Sequence, residues 1–170
     1  MSASMYTFSV GSFSRALTQL VAILEKAAAH AEAKKIEPAA LIGARLYPDM
    51  YPVGTQVQSA ADGAVTAASF LAGREPPPRN STQETSFPDL IARVRKALTA
   101  LETFTPAQID GSEERPVSIK TPRGEMNFTG LSYLQTFALP NFYFHVTTAY
   151  AILRHNGLEI GKMDYLGKVA

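Results

Sequence analysis

The sequence predicts an all-α domain, a four-helix bundle with a small β-hairpin before the last helix. Two observations lead to this fold class: long segments repeat apolar residues every three or four positions, and two short alternating runs flank a turn tripeptide. With 170 residues, 46% of them hydrophobic, the chain is long enough to bury a core as one domain.

The first two helices are predicted near the N-terminus. Residues 13–31 carry an apolar stripe at helical spacing, and Lys34 and Lys35 follow where a helix end favours positive charge. Pro38 suits the first position of a second helix over residues 38–46. A short link therefore joins two helices.

Prolines then interrupt the helical pattern. Pro48 and Pro52 each remove a backbone donor and crowd the preceding turn, which predicts a break between them. Helical spacing resumes over residues 53–71 and ends near Gly73. Three consecutive prolines predict that residues 74–85 form an extended surface connection.

The next elements are a capped helix and the hairpin. Ser86 begins a capping-box-like pattern, and the apolar spacing that follows predicts a third helix through Leu101. The alternating runs 116–121 and 125–129 flank Pro122-Arg123-Gly124, a turn-forming tripeptide. A two-stranded hairpin is the prediction for this segment.

The last helix is predicted over residues 130–156, kinked near Pro140 and ended at Gly157 as in a Schellman motif. Between residues 142 and 153 nearly every position is apolar, unlike a helix with one solvent face. This stretch is either central to the core or covered by a second subunit, so we expect a homodimer. The tail, residues 159–170, is predicted to be irregular.

Composition and charge exclude several classes of function. The chain has no cysteine, which excludes disulfides and thiolate metal sites. The formal net charge is +1, with scattered basic residues, so we expect no binding to nucleic acid or to an anionic membrane. No apolar run could span a bilayer and the N-terminus lacks the pattern of a signal peptide, so we expect a cytoplasmic protein.

Motifs for nucleotide-driven chemistry and for the common hydrolases are absent from the sequence. Three histidines remain. His145 and His155 lie about three helical turns apart, so they cannot bind one ion together. His155 is predicted as a helix-end residue and His30 as a residue at the core boundary.

Asn141 and His145 are four residues apart and share one face of the predicted last helix, with Thr148 continuing that row. One interpretation is a buried hydrogen-bond network in which Asn141 or a backbone group binds an imidazole nitrogen. The other is that His145 lines a pocket between helices, as a metal ligand or a proton carrier.

Asp49 is the second candidate, between two prolines and next to Tyr47. It could cap the helix that restarts near Pro52. Alternatively, it could face the bundle interior as a ligand or base.

Several motifs together resemble DUF1993, an uncharacterised bacterial family. They read MYTFSV (5–10), KAAAHAEA (26–33), ARLYPDMYP (44–52), ALPNFYFHVTTAY (138–150) and LRHNG (153–157). The resemblance implies one domain over residues 5–167, with residues 1–4 as an N-terminal extension.

This family resembles the DinB/YfiT-like superfamily of four-helix bundles, many of which hold a divalent metal with three histidines and form dimers. The resemblance implies that His145 and Asn141 occupy the two positions of the last helix, with Asp49 near the position of the second-helix ligand. Only one of the three histidines is retained. We therefore expect a degenerate site without a cofactor, and a divalent metal as the only cofactor candidate at Asp49, Asn141 and His145.

Three hypotheses about function follow. The first is a non-catalytic bundle, a homodimer whose interior polar residues stabilise packing. The second is a metal-dependent transferase or hydrolase, and the third is a binder of a small molecule. The last two would act at one candidate pocket, formed by Tyr47, Asp49, Asn141, His145 and Thr148.

Overall fold

The structure, a computed structural model, describes residues 4–78, 82–121 and 124–168. The described residues are mostly helical, and one antiparallel hairpin precedes the last long helix, so the predicted fold class is confirmed. The elements are α1 (Ser12–Lys34), α2 (Pro38–Ile42), α3 (Val53–Leu71), α4 (Phe87–Glu102), α5 (Pro106–Ile109), β1 (Pro116–Thr121), β2 (Gly124–Thr129), α6 (Gly130–Tyr133), α7 (Leu139–His155) and α8 (Lys162–Leu166). Two π-helical turns, Thr7–Gly11 and Leu134–Ala138, precede α1 and α7.

The bundle consists of α1, α3, α4 and α7. Helix α1 packs on α4, α4 on α3 and α3 on α7, and α7 contacts α1 to close the bundle. Each helix turns its apolar stripe inward, so that Leu17, Ala64, Leu90 and Ile152 are completely buried. None of the helices in the described ranges is long and apolar enough to cross a membrane.

The break predicted at Pro48 and Pro52 is confirmed, but the helix before it is shorter than predicted. Helix α2 ends at Ile42 instead of near residue 46. Gly43 follows as the cap, where its N–H closes the last turn of α2. Glycine is a poor helix former, which explains the early end.

A loop at residues 43–52 therefore separates α2 from α3. The Val53 N–H donates to the carbonyl of Ala44 at 3.0 Å, which brings the two ends of the loop together. The guanidinium of Arg45 donates to the carbonyl of Met50 across the loop. These contacts give the loop a defined shape next to the first turn of α3.

Helices α3 and α4 run parallel, because the chain returns along the bundle between residues 72 and 86, as its described parts 72–78 and 82–86 show. Glu84, just before α4, contacts Gln58 near the start of α3. Further along both helices, Arg93 contacts Asp62. We call residues 72–86 the crossover; the predicted extended connection is confirmed for its described residues.

Arg93 joins the crossover to both helices. Its Nε donates to Glu84 at 2.6 Å, its Nη1 to both carboxylate oxygens of Asp62 at 3.0 and 3.2 Å, and its Nη2 to the carbonyl of Thr82 at 3.2 Å. The Arg93 side chain is only 8% exposed. Burial acts to lower the pKa of this guanidinium, but the hydrogen bonds and charges of Glu84 and Asp62 raise it above the usual value.

The hairpin and the last helix follow the prediction, with one difference. Strands β1 and β2 pair from Pro116 opposite Thr129 onward, and Pro122 and Arg123 of the predicted turn lie outside the described residues. The kink predicted near Pro140 is replaced by the π-helical turn that directly precedes α7. In a regular α-helix the proline ring would clash with the carbonyl four residues before it. That carbonyl lies in the wider π-helical turn, which relieves the clash.

The end of α7 is confirmed as a Schellman motif. The Gly157 N–H donates to the carbonyl of Arg154, and the Leu158 N–H donates to the carbonyl of Leu153, both at 3.1 Å. Gly157 has φ of 94°, in the region that glycine adopts most readily.

The prediction that residues 159–170 are irregular is wrong, because α8 forms within them. A helix this short is not stable alone, so its contacts with other elements hold it. Asp164 forms an ion pair with Lys26 of α1 at 2.5 Å, and the Tyr165 hydroxyl lies 2.9 Å from the hydroxyl of Thr147 on α7. The hydrogen bond from Lys26 lowers the pKa of Asp164. Helix α8 thus contacts part of the α7 surface.

The buried position of Arg93 leads to a stability prediction. Arg93→Met keeps an apolar stem but removes the donors to two partly buried carboxylates, so we expect a loss of about 3 kcal/mol in the free energy of unfolding. Arg95→Met is the matched control, because Arg95 and its partner Glu25 are 63% and 50% exposed. We expect that change to cost less than about 1 kcal/mol. Urea denaturation measures both, and equal losses would contradict the role of Arg93.

Candidate functional site

His145 lies on the face of α7 that packs against α3. It is 9% exposed, and its Nδ1 is 2.7 Å from Oε1 of Gln56. Gln56 belongs to the first turn of α3 and is 1% exposed. The side chain of His145 is therefore held between two bundle helices by a buried polar partner.

The Gln56 amide also fixes the direction of this hydrogen bond. Its Nε2 donates to the carbonyl of Tyr51 at 3.1 Å, and a carbonyl can only accept. The Oε1 atom is then the acceptor for His145, so the imidazole carries its hydrogen on Nδ1. A continuous path of hydrogen bonds thus links α7, α3 and the 43–52 loop.

Thr148 is buried one turn beyond His145, as predicted for the same row of α7. Its hydroxyl donates to the Phe144 carbonyl at 2.7 Å, within its own helix. The hydroxyl is therefore satisfied locally and adds a neutral oxygen beside His145.

Asn141 does not join this network. It is exposed, whereas one interpretation of the sequence placed it in a buried network in which Asn141 or a backbone group binds an imidazole nitrogen. The partner that the structure gives to His145 is Gln56. In the first turn of α7, one face is buried and the other faces solvent, and Asn141 lies on the solvent face.

Asp49 is exposed, in a turn of the 43–52 loop. The prediction that it caps α3 is wrong, because Pro52 occupies the cap position and no side chain bonds there. The prediction that it faces the bundle interior is also wrong. Tyr47, its neighbour, is 66% exposed.

The other two histidines lie away from this network. His30 is half-buried near the end of α1, and His155 is exposed as the last residue of α7. Both positions agree with the boundary and helix-end interpretations.

The residues around His145 do not fit the three-ligand metal centre that the resemblance implied. No group of three or more His, Cys, Asp or Glu side chains that could hold an ion occurs in the described ranges. The neighbours of His145, Gln56 and Thr148, offer neutral oxygens, which suit transition metals poorly. Among the described residues of this network, the imidazole is therefore the one strong metal ligand.

Large apolar side chains are exposed next to this network. Tyr51, whose carbonyl binds Gln56, is 58% exposed, and Phe144, next to His145 on α7, is 53% exposed. Leu46 and Tyr47 of the same loop are 48% and 66% exposed. We call these four residues the apolar rim.

Gln56 was not singled out from the sequence, although a signal for it exists. It interrupts the apolar stripe of α3 between Val53 and Ala60, both completely buried. A long amide on a buried helix face needs partners for both of its polar atoms. Such a residue is a candidate to pair with a polar residue on a facing helix.

Comparisons with known proteins show what the chain resembles. Residues 5–166 match the family described as Domain of unknown function (DUF1993). The chain is also similar to the crystal structure of a DinB family member protein from Shewanella denitrificans, with 40% identity and a TM-score of 0.87. That similarity covers 96% of this chain and 92% of the other. No curated protein matches the chain.

The hydrogen-bond path through Gln56 leads to a second stability prediction. Gln56→Leu removes the acceptor of His145 Nδ1–H and the donor to the Tyr51 carbonyl, while it keeps an apolar side chain of similar length. We expect a loss of about 1–3 kcal/mol in the free energy of unfolding, the cost of buried groups that lose a partner. Asn141→Ala, on the exposed side of α7, should change it by less than about 0.5 kcal/mol. Urea denaturation tests both, and a neutral Gln56→Leu would refute the structural importance of the path.

Proposed function

Because the chain belongs to the DUF1993 family and is similar in fold to a DinB family member, we propose that it is a non-catalytic, homodimeric helical bundle with a degenerate DinB-type metal site. In this proposal His145 stabilises the packing of α7 on α3 and on the 43–52 loop.

One observation carries the proposal: the hydrogen bond between His145 Nδ1 and Gln56, whose amide continues to the Tyr51 carbonyl. Two of the polar atoms that meet here belong to neutral groups, an amide and a backbone carbonyl. The amide oxygen satisfies Nδ1 of the imidazole, and the carbonyl holds the amide in place, as expected for a structural histidine. The exposure of Asp49 and Asn141 supports the same conclusion, because neither side chain is buried with His145.

Metal content and stability together test the degenerate site. We expect protein purified without chelators to carry far less than one zinc, nickel or manganese ion per chain, measured by elemental analysis. His145→Ala should lower the free energy of unfolding by about 1–3 kcal/mol because it removes a buried hydrogen bond. Asp49→Ala, in the exposed loop, should change it by less than about 0.5 kcal/mol. Stoichiometric metal that is lost from both variants would overturn the proposal and favour a metal-dependent enzyme.

The apolar rim supports the homodimer. Its four side chains are each about half exposed or more, and three of them belong to one loop that the Gln56 amide holds against α3. Clusters of exposed apolar side chains of this size are typical of interfaces. Aromatic residues are the residue types that interfaces favour most, and three of the four rim residues are aromatic.

The oligomeric state tests this second part. We expect light scattering after size exclusion to give the mass of two chains at micromolar concentration, and the double variant Tyr47→Lys, Phe144→Lys to give the mass of one. Met163→Lys is the control, because Met163 is 61% exposed on α8 and does not belong to the rim. A monomeric wild-type chain, or a double variant that stays dimeric, would contradict a dimer through the rim.

A further inference from the structure

Helix α8 is held on α1 at both of its ends. Near its start, Asp164 pairs with Lys26 of α1 at 2.5 Å. At its end, the carbonyls of Leu166 and Lys168 each accept a hydrogen bond from Nη2 of Arg15 at 2.9 Å. Because Arg15 precedes Lys26 in α1, α8 runs antiparallel to that helix. We call α8 the strap.

The strap also contacts α7, through Tyr165. The Tyr165 ring packs edge-on against Tyr150, with 5.8 Å between the ring centroids, and its hydroxyl lies 2.9 Å from that of Thr147. Helical rotation places both partners on a different side of α7 from His145, by about 200° for Thr147 and about 140° for Tyr150. We call the surface under the strap the strap groove, defined by Arg15, Lys26, Thr147 and Tyr150.

Surface contacts, without any buried side chain, hold the strap in place. No residue of α8 is buried, whereas Leu158 and Ile160 just before it are. Lys26 and Asp164 are 54% and 25% exposed, and an exposed ion pair contributes little to stability. A short segment with few buried contacts opens at a lower free energy than the core does. We therefore expect the strap to open from Gly161 onward while the bundle stays folded.

An open strap leaves a cationic surface with an aromatic floor. The four side chains of the strap groove carry two positive charges and no negative one. Glu25, next to Lys26, already pairs with Arg95 at 2.7 Å. Tyr143, one turn before Thr147 on α7, stays 37% exposed beside the strap. The groove therefore favours a negatively charged segment by charge complementarity, and a helix longer than the strap would cover more of its aromatic surface.

We propose that the strap groove binds a short acidic helix of a partner protein, and that the strap occupies the groove as an internal substitute for that helix. The contacts of the strap specify the chemistry of the partner: a carboxylate in the first turn for Lys26, an aromatic ring directly after it for Tyr150, and a helix end whose last carbonyls meet Arg15. The partner must displace the strap, which its tether keeps at an effective concentration of about 1 mM. The strap groove shares no residue with the His145 network or the apolar rim.

The test uses the end-blocked peptide GKMDYLGK, the sequence of residues 161–168, titrated into isotope-labelled full-length protein and followed by amide chemical shifts. The double variant Asp164→Ala, Tyr165→Ala removes the ion pair and the ring contact from the strap and leaves the strap groove unchanged. We expect it to bind the peptide, with shifts in the strap groove, at least about tenfold more tightly than wild type, where the tethered strap competes. Met163→Ala, at an exposed position of the strap, is the matched control and should behave as wild type.

Two further arms test the chemistry of the strap groove in the background of the double variant. Lys26→Met should weaken peptide binding about threefold, because it removes one exposed ion pair. Lys34→Met, at an exposed position about two turns further along α1, should leave the affinity unchanged. The charge-reversed peptide GKMKYLGK should bind more weakly than GKMDYLGK.

Four outcomes would overturn the proposal. The first is equal affinity of wild type and the double variant, or of the two peptides. The second is the absence of binding by the double variant, and the third is its global unfolding, which would make the strap part of the core. The fourth is a higher mass of the double variant in light scattering, which would show that a second copy of the chain covers the groove instead. These outcomes leave the proposed role of His145 unaffected, because its residues are not in the strap groove.

Discussion

The buried Arg93 guanidinium is the one side chain of α4 that forms ion pairs with both α3 and the crossover in the described ranges. Two consecutive long helices can run parallel only if the chain returns the full length of the bundle between them. Nothing in an extended, proline-rich segment holds it to the helices by itself, since such a segment has no internal hydrogen bonds. Arg93 supplies much of that attachment by donating to Glu84, to the Thr82 carbonyl and to Asp62 of α3, and Gln58 of α3 donates to the same two crossover residues. The guanidinium has five N–H donors in a rigid, planar fork, whereas a lysine ammonium has three donors on one nitrogen.

In the function that we propose, the His145 network is a case of a bundle that keeps a family fold without a metal centre. The chain shares 40% of its residues with a DinB family member over almost its whole length, yet His145 pairs with the neutral amide of Gln56. The shape of the fold depends on many apolar positions, whereas a metal centre depends on a few donors. Replacement of those donors leaves the packing intact, so the fold alone does not determine an activity.

Helical spacing was sufficient to predict the long helices, because each shows one apolar stripe to the core. It failed at Asn141 because residues 142–153 are apolar on nearly every side, so the pattern does not tell which face is buried. Gln56 lies 89 residues away from His145 in the chain, and local sequence can mark each residue as needing a partner but cannot pair the two. Helix α8 was missed for the same reason: its ion pair with Lys26 spans almost the whole chain. Contacts between distant segments decided each of these outcomes.

The π-helical turn before α7 has a consequence for comparing this chain with its relatives. A regular α-helix rotates by about 100° per residue. A π-helical turn closes its hydrogen bond over five residues instead of four, so it contains one extra residue. Loss of a single residue from Leu134–Ala138 would rotate all of α7 by about that angle and swing His145 away from α3. Relatives with an uninterrupted helix here therefore need a one-residue gap in their alignment, or their equivalent of His145 will be assigned to the wrong position.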